Sequence, residues 1–122
     1  MSWSFSNDKP IFQQLVEIIT LKIVSGEYPA GSKLETVREL AVAAGVNPNT
    51  MQRALTEIET TGIIFTKRGD GRYVTEDRDK ITAVKNAYAS GKVRLFIESV
   101  KALGLDDEEI IKAVNNELRR QI

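Results

Sequence analysis

The sequence predicts a mainly α-helical fold with one small β-hairpin, in the order three helices, hairpin, two helices. Apolar residues recur at helical spacing between Pro10 and Gly26, and again in the tail beyond Asp77, which contains no proline. Between these regions the run "GIIFTKRGDGRYVTE" changes to β-prone residues around a Gly-Asp-Gly turn, which is typical of a hairpin. We expect residues 1–76 to form one domain and residues 77–122 a helical appendage.

The composition limits the function before any motif is considered. A chain of 122 residues can hold one modest domain, or a small domain with an appendage. Its 17 basic and 17 acidic side chains cancel, so attraction to a polyanion must come from local placement. The absence of cysteine and histidine excludes disulfides, thiolate and imidazole catalysis, and most transition-metal sites. We therefore expect no enzyme, no cofactor and no metal.

Neither export nor membrane insertion is indicated. The start, "MSWSFSNDKP", lacks a basic segment followed by an apolar run, and no stretch of about 18 apolar residues occurs anywhere. The sequence therefore predicts a cytoplasmic protein.

The first two helices have clear boundaries. Helix one begins after Pro10 and ends at Gly26, and Leu34, in the loop that follows, is expected to anchor the chain on the core. Thr36 and Glu39 form a T-x-x-E capping box that opens helix two, which stops at Gly45. The aromatic residues near the start are expected to pack an N-terminal arm onto helix one: Trp3, Phe5, Phe12 and Tyr28.

Helix three carries a polar face. Asn47 can cap it, with Pro48 at its first position. One face is apolar, with Met51, Leu55 and Ile58, and another is polar, with Asn49, Gln52, Arg53 and Thr56. Amide and guanidinium groups can bond base edges, although any amphipathic surface helix shows some polar face. Two short helices joined by the tight turn "AAGVN" match a helix-turn-helix, whose second helix enters the DNA major groove.

The basic hairpin makes this interpretation more specific. Arg68 and Arg72 flank its tip, and glycines there allow the backbone to approach a sugar-phosphate wall. Alone, "GDGR" could be an exposed turn; directly after a helix-turn-helix it is the wing of a winged helix-turn-helix. The acidic run "DDEE" at 106–109 is better explained by helix capping than by a cation site.

The tail is expected to form a dimer interface. Asp106 and Glu109 open its last helix with a second capping box. Its apolar stripes exceed what one small winged domain can cover, and a two-fold partner would cover them. The interface residues are expected to be Val93, Phe96, Val100, Leu103, Ile110, Val114 and Leu118.

Taken together, "PIFQQLVEII", "GSKLETVRELAVAAGVNPNTMQRALTEIETTGIIFTKRGDGRYV" and the short tail closely resemble the GntR family of bacterial transcriptional regulators, and the tail resembles that of its YtrA subfamily. The resemblance implies a dimeric repressor that binds an operator with two-fold-related half-sites, often near genes for transport systems. It places the family's helix-two arginine on Arg38, its recognition helix on residues 47–53 and its wing glycine on Gly71.

The chain departs from the family pattern at two places. Glu35-Thr36 stands where Pro-Ser is usual, and Pro48 and Gln52 stand where many relatives carry arginine. We therefore expect base preference to shift from guanine toward adenine, because glutamine pairs well with adenine.

The predicted partner is a double-stranded DNA operator. Arg38, Lys67, Arg68 and Arg72 would hold phosphates, while Asn49, Gln52 and Arg53 would read bases. The full expected DNA-binding set is Thr36, Arg38, Asn47, Asn49, Thr50, Gln52, Arg53, Lys67, Arg68, Gly69, Gly71 and Arg72. The alternative is a winged-helix protein-interaction module without specific DNA binding. A small-molecule effector is left open, and an enzyme domain cannot fit in so short a tail.

Overall fold

The computed structural model describes residues 3–121. The described residues form the predicted order of elements, and the fold class, mainly α with an N-terminal winged helix-turn-helix and C-terminal helices, is confirmed. The elements are α1 (Ile11–Val24), α2 (Val37–Ala44), α3 (Pro48–Glu59), β1 (Ile64–Lys67), β2 (Gly71–Val74), α4 (Arg78–Lys101) and α5 (Asp107–Arg120).

The core of the winged helix lies where α1, α2 and α3 meet. Each helix contributes one apolar stripe, and buried apolar residues of the hairpin complete the core. Leu34 is buried, so the predicted anchor in the loop before α2 is confirmed. The most deeply buried residues include Leu15, Ile19, Leu40, Met51, Leu55, Ile58 and Ile64.

The predicted helix starts are present. The Thr36 hydroxyl accepts from the Glu39 amide at 3.1 Å, and the Glu39 carboxylate accepts from the Thr36 amide at 2.9 Å. Asn47 caps α3, and Pro48 occupies its first turn. Gly45 ends α2 in the left-handed conformation with a φ of 70°, which gives the tight turn between the two helices.

The hairpin is antiparallel, with Ile64 opposite Val74 and Lys67 opposite Gly71. Residues 68–70 form its turn, with Gly69 at a φ of 77°. The segment before α2 runs beside β2, because the Leu34 amide donates to the Arg72 carbonyl at 2.9 Å and the Val74 amide to the Ser32 carbonyl at 2.8 Å. The wing is therefore attached to the chain that leads into α2.

The chain divides into two compact units, one ending at Lys85 and the other starting at Asn86. Helix α4 continues without interruption from Arg78 to Lys101, through Gly91, and belongs to both units. In the first unit, Ile81 and Val84 pack against the winged-helix core. The division by packing thus falls within α4, and a functional boundary after residue 76 stays a prediction.

In the second unit, α5 opens with the predicted capping box, as the Asp106 carboxylate accepts from the Glu109 amide at 2.9 Å. Among residues 3–121, no helix is long and apolar enough to cross a membrane.

Candidate nucleic-acid interface

The recognition-helix face consists of Asn49, Gln52, Arg53 and Thr56 on α3, and all four are exposed. Two neighbouring polar groups have local partners. The Asn47 side chain accepts from the Asn49 amide at 2.7 Å, and the Thr56 hydroxyl donates to the Gln52 carbonyl at 3.0 Å. These hydrogen bonds use the side chains of Asn47 and Thr56. The exposed amide side chains of Asn49 and Gln52 lie in the N-terminal half of α3. The predicted residue Thr50 is only partly exposed.

Arg53 lies at the edge of this face that borders α1. Its guanidinium carbon is 4.0 Å from the centre of the Phe12 ring, a cation–π contact. Phe12 is itself partly buried against the core. Sequence reasoning assigned Phe12 to packing only, and nothing in the local pattern shows that α1 would bring it to Arg53.

The start of α2 presents a second polar surface. Thr36 is exposed but serves as the helix cap, and Arg38 is exposed two residues further along. The unusual acid Glu35 accepts from the Tyr28 hydroxyl at 2.6 Å. Burial raises the pKa of the Tyr28 hydroxyl, and the hydrogen bond to Glu35 raises that pKa further. The Glu35 carboxylate is thus tied to the preceding loop.

The wing divides the predicted cations into two groups. Lys67, Arg68 and Gly69 are exposed at its tip. Arg72 instead points toward α3: its Nε donates to Glu59 Oε1 at 2.6 Å, and its side chain is 15% exposed. Sequence reasoning placed Arg72 beside the tip with Arg68, but the structure gives it an acidic partner on the recognition helix.

The wing acid Asp70 is held on both carboxylate oxygens. Lys33 Nζ lies 2.8 Å from Oδ1, and the Tyr73 hydroxyl donates to Oδ2 at 2.7 Å. The hydrogen bond from Lys33 is the main reason that the pKa of the Asp70 carboxyl lies below its ordinary value. Lys67 also contacts this cluster, with Nζ 4.6 Å from the Tyr73 ring centre. The one acid at the tip is therefore paired, and Lys67 and Arg68 dominate the local charge.

Gly71 lies at the base of the turn with a φ of 151°, a conformation that favours glycine. A Cβ at this position would approach Lys33 Cε to 3.0 Å. The wing glycine is thus favoured mainly by its backbone conformation, because the end of the flexible Lys33 side chain can shift to make room.

The C-terminal unit exposes apolar side chains. Val93 is 53%, Leu103 77% and Leu118 60% exposed. A groove of about 270 Å³ between α4 and α5 is lined by Phe96, Val100, Ala113, Val114 and Leu118. Ile110 differs from the other predicted interface residues because it is 8% exposed and lies inside the unit.

Residues 11–74 match the gntR family of bacterial regulatory proteins. The chain belongs to the GntR family. It is 35% identical over 114 residues to an uncharacterized helix-turn-helix regulator, YhcF of Bacillus subtilis, covering 93% of this chain and 94% of the relative. It is 36% identical to the transcriptional repressor YtrA of the same organism, over 80% of this chain and 70% of that protein.

A solved structure shows the same architecture. A GntR family transcriptional regulator from Listeria monocytogenes is 46% identical, with a TM-score of 0.87, over 92% of this chain and 98% of that chain. The predicted membership of the GntR family with YtrA among the relatives is confirmed. This GntR chain is a transcriptional regulator with a DNA-binding winged helix, and not an enzyme.

Proposed function

We propose that this GntR chain is a dimeric repressor that binds an operator made of two two-fold-related half-sites in the cytoplasm. The observation that carries the proposal is the recognition-helix face: Asn49, Gln52 and Arg53 are exposed together on α3, and the wing tip exposes Lys67 and Arg68. An amide and guanidinium face flanked by cations suits base edges between two phosphate strands.

The residues divide into base-reading and phosphate-holding groups. Asn49 and Gln52 would read adenine, because each amide can donate to N7 and accept from the amino group in a bidentate pair when suitably oriented on the base edge. Arg53 would read a base at the α1 edge of the face. Arg38, Lys67, Arg68 and Arg72 would hold phosphates, with Arg72 using its terminal amino groups because Nε is bound to Glu59.

The remaining members of the DNA-binding set would contribute through the backbone or at the rim. Thr36 and Asn47 fix the starts of α2 and α3, and Thr50 lies at the side of the recognition helix. Gly69 and Gly71 would allow the wing backbone to approach the duplex.

The exposed apolar surface of the C-terminal unit supports the dimer. Val93, Phe96, Leu103 and Leu118 are exposed large apolar residues, and a second copy would cover them with the same surface. Val100 and Val114 line the groove between α4 and α5, while Ile110 is buried within the unit. The groove of a single subunit, about 270 Å³, is small for a drug-sized molecule. A small-molecule effector would therefore bind between the two subunits.

A protein-interaction module is the second candidate function. It would require a more apolar surface on α3 and the wing, since the centres of protein interfaces are depleted in charge. The exposed amides and guanidinium of the recognition-helix face, together with the cations of the wing tip, favour DNA.

Selection of duplexes from a random DNA library by the full-length protein, followed by sequencing, tests this function. We expect enrichment of two inverted half-sites whose centres lie about one or two helical turns apart, with adenine prominent in each. Enrichment of no motif would contradict specific DNA binding, and a single asymmetric motif would contradict the dimer.

A further inference from the structure

We infer that Glu59, the last residue of α3, is a positioning residue that fixes the wing relative to the recognition helix and thereby sets the contribution of the wing to DNA binding. The inference rests on the proposed operator binding for its functional readout. Glu59 would touch no DNA itself.

One oxygen of Glu59 connects three elements. Oε1 accepts from the Thr66 hydroxyl on β1 at 2.6 Å and from Arg72 Nε on β2 at 2.6 Å. Thr66 and Arg72 are directly opposite each other in the hairpin register. A single carboxylate at the end of α3 therefore holds both strands of the wing at the same level.

The contact is partly shielded from water. The Arg72 side chain is 15% exposed and that of Glu59 28% exposed. Burial alone would raise the pKa of the Glu59 carboxyl, but hydrogen bonds from Thr66 and Arg72 outweigh it and hold that pKa below its ordinary value. A partly desolvated, charge-assisted pair is stiffer than a surface ion pair.

The connection matters because the other polar contacts described for the wing, Lys33 with Asp70 and the Leu34 amide with the Arg72 carbonyl, join it to the segment before α2 and not to α3. After α3 the chain reaches β1 through the turn 60–62, and the wing tip lies at the far end of a hairpin with four-residue strands. Loss of the Glu59 contact would allow the tip to move relative to the recognition helix. Phosphate contacts from Lys67 and Arg68 would then be made at an added cost in conformational entropy.

If charge were the only effect of Glu59, its replacement would have the opposite effect on DNA binding, so the experiment distinguishes the two explanations. Removing an acid beside a DNA-binding surface should strengthen binding, because it reduces repulsion from phosphates. Glu57→Gln is the matched control, since Glu57 is an exposed acid on the same helix two residues earlier. Thr66→Val removes one hydrogen bond to Glu59 without any change in charge.

The experiment measures binding of the full-length variants to a duplex selected from a random library by the wild-type protein. We expect Glu59→Gln and Thr66→Val to weaken binding roughly fivefold or more, while Glu57→Gln binds as well as or better than wild type. Adding Arg68→Ala should cost less in the Glu59→Gln background than in wild type, because the misplaced wing no longer uses Arg68 fully. Equal or tighter binding by Glu59→Gln with an additive Arg68→Ala effect would overturn the inference.

A second measurement does not depend on DNA binding. Backbone ¹⁵N relaxation of the free protein should show greater motion in residues 65–73 of Glu59→Gln and Thr66→Val, and wild-type values in Glu57→Gln. An unchanged wing in both variants would overturn the positioning role even if no duplex were ever selected. Failure of the wild-type protein to select a duplex would count against the proposed function and leave this second readout to decide on Glu59.

Discussion

The guanidinium carbon of Arg53 lies 4.0 Å from the centre of the Phe12 ring, so a residue of α1 forms a platform for a side chain on the recognition helix. The ring is partly buried against the core and cannot move freely. A guanidinium held against such a ring has fewer accessible orientations than a free one, and its N–H groups remain available to a partner. Arg53 thus starts from a restricted set of orientations when DNA approaches.

The first prediction concerns Arg53. Arg53→Ala should weaken binding to the selected duplex by about 1–3 kcal/mol and relax preference at one position in each half-site. The measurement is a titration against single-base variants of the duplex at fixed salt. If Arg53→Ala weakens binding to every variant duplex equally, Arg53 contacts phosphate only and its base-reading role is wrong.

Phe12 provides the control for this prediction. Phe12→Leu should relax preference at the same position as Arg53→Ala but to a smaller extent, whereas Phe12→Tyr should retain it because the ring face is kept. An effect of Phe12→Leu spread over all positions would indicate a general loss of packing instead.

The second prediction concerns Gly71. Gly71→Val should reduce DNA affinity because its φ of 151° is unfavourable for valine and its Cβ would approach Lys33 Cε to 3.0 Å. The helical core should remain folded, so far-ultraviolet circular dichroism should keep the wild-type spectrum. Gly26→Val is the matched control, since Gly26 has a φ of 89° and open space around it. If Gly26→Val lost as much DNA affinity as Gly71→Val, general backbone strain, and not the wing, would be responsible.

The third prediction separates two roles of Arg72. If its terminal amino groups hold a phosphate, Arg72→Ala should reduce the slope of log affinity against log salt by about one unit per subunit. Arg68→Ala should do the same from the exposed tip. A weakened affinity with an unchanged salt slope for Arg72→Ala would show that Arg72 acts through Glu59 alone.

The fourth prediction concerns acid stability. The pKa of Glu59 is held below its ordinary value in the folded protein, so the stabilisation it provides is present above the unfolded pKa of about 4.3 and is lost as pH falls through the folded pKa. Between about pH 6 and pH 3, wild type should therefore lose more free energy of unfolding than Glu59→Gln. Urea unfolding at several pH values measures this, and Glu57→Gln should keep the wild-type pH dependence. If the free energy of unfolding depended on pH identically in wild type and Glu59→Gln, the Glu59 carboxylate would not be stabilised by Thr66 and Arg72.

Local signals in the sequence predicted most of the fold. The capping residues Thr36, Asn47 and Asp106 each act within three residues of their own position, so spacing alone reveals them. The hairpin likewise follows from residues that are neighbours in the chain. These elements depend on short-range geometry that a sequence displays directly.

The contacts that organise the candidate interface were not visible in the same way. Lys33 and Asp70 are 37 positions apart, and Glu59 and Arg72 are 13 apart. Each pair meets only because α2, α3 and the hairpin pack in one arrangement, and helical or strand periodicity carries no information about such a meeting. For the same reason the sequence identified Arg72 as a cation near the wing tip but not as the partner of Glu59.

The fifth prediction concerns the proposed dimer, in which two recognition helices read two half-sites. The measurement is a titration of the full-length protein with a duplex carrying both selected half-sites and with a duplex carrying one. We expect the whole site to bind tighter by about two or more orders of magnitude, because the second contact is effectively intramolecular. Phe96→Glu, which places a charge on the exposed apolar groove, should remove this difference while half-site base preference survives. Equal affinity of the wild-type protein for whole and half sites would contradict the account.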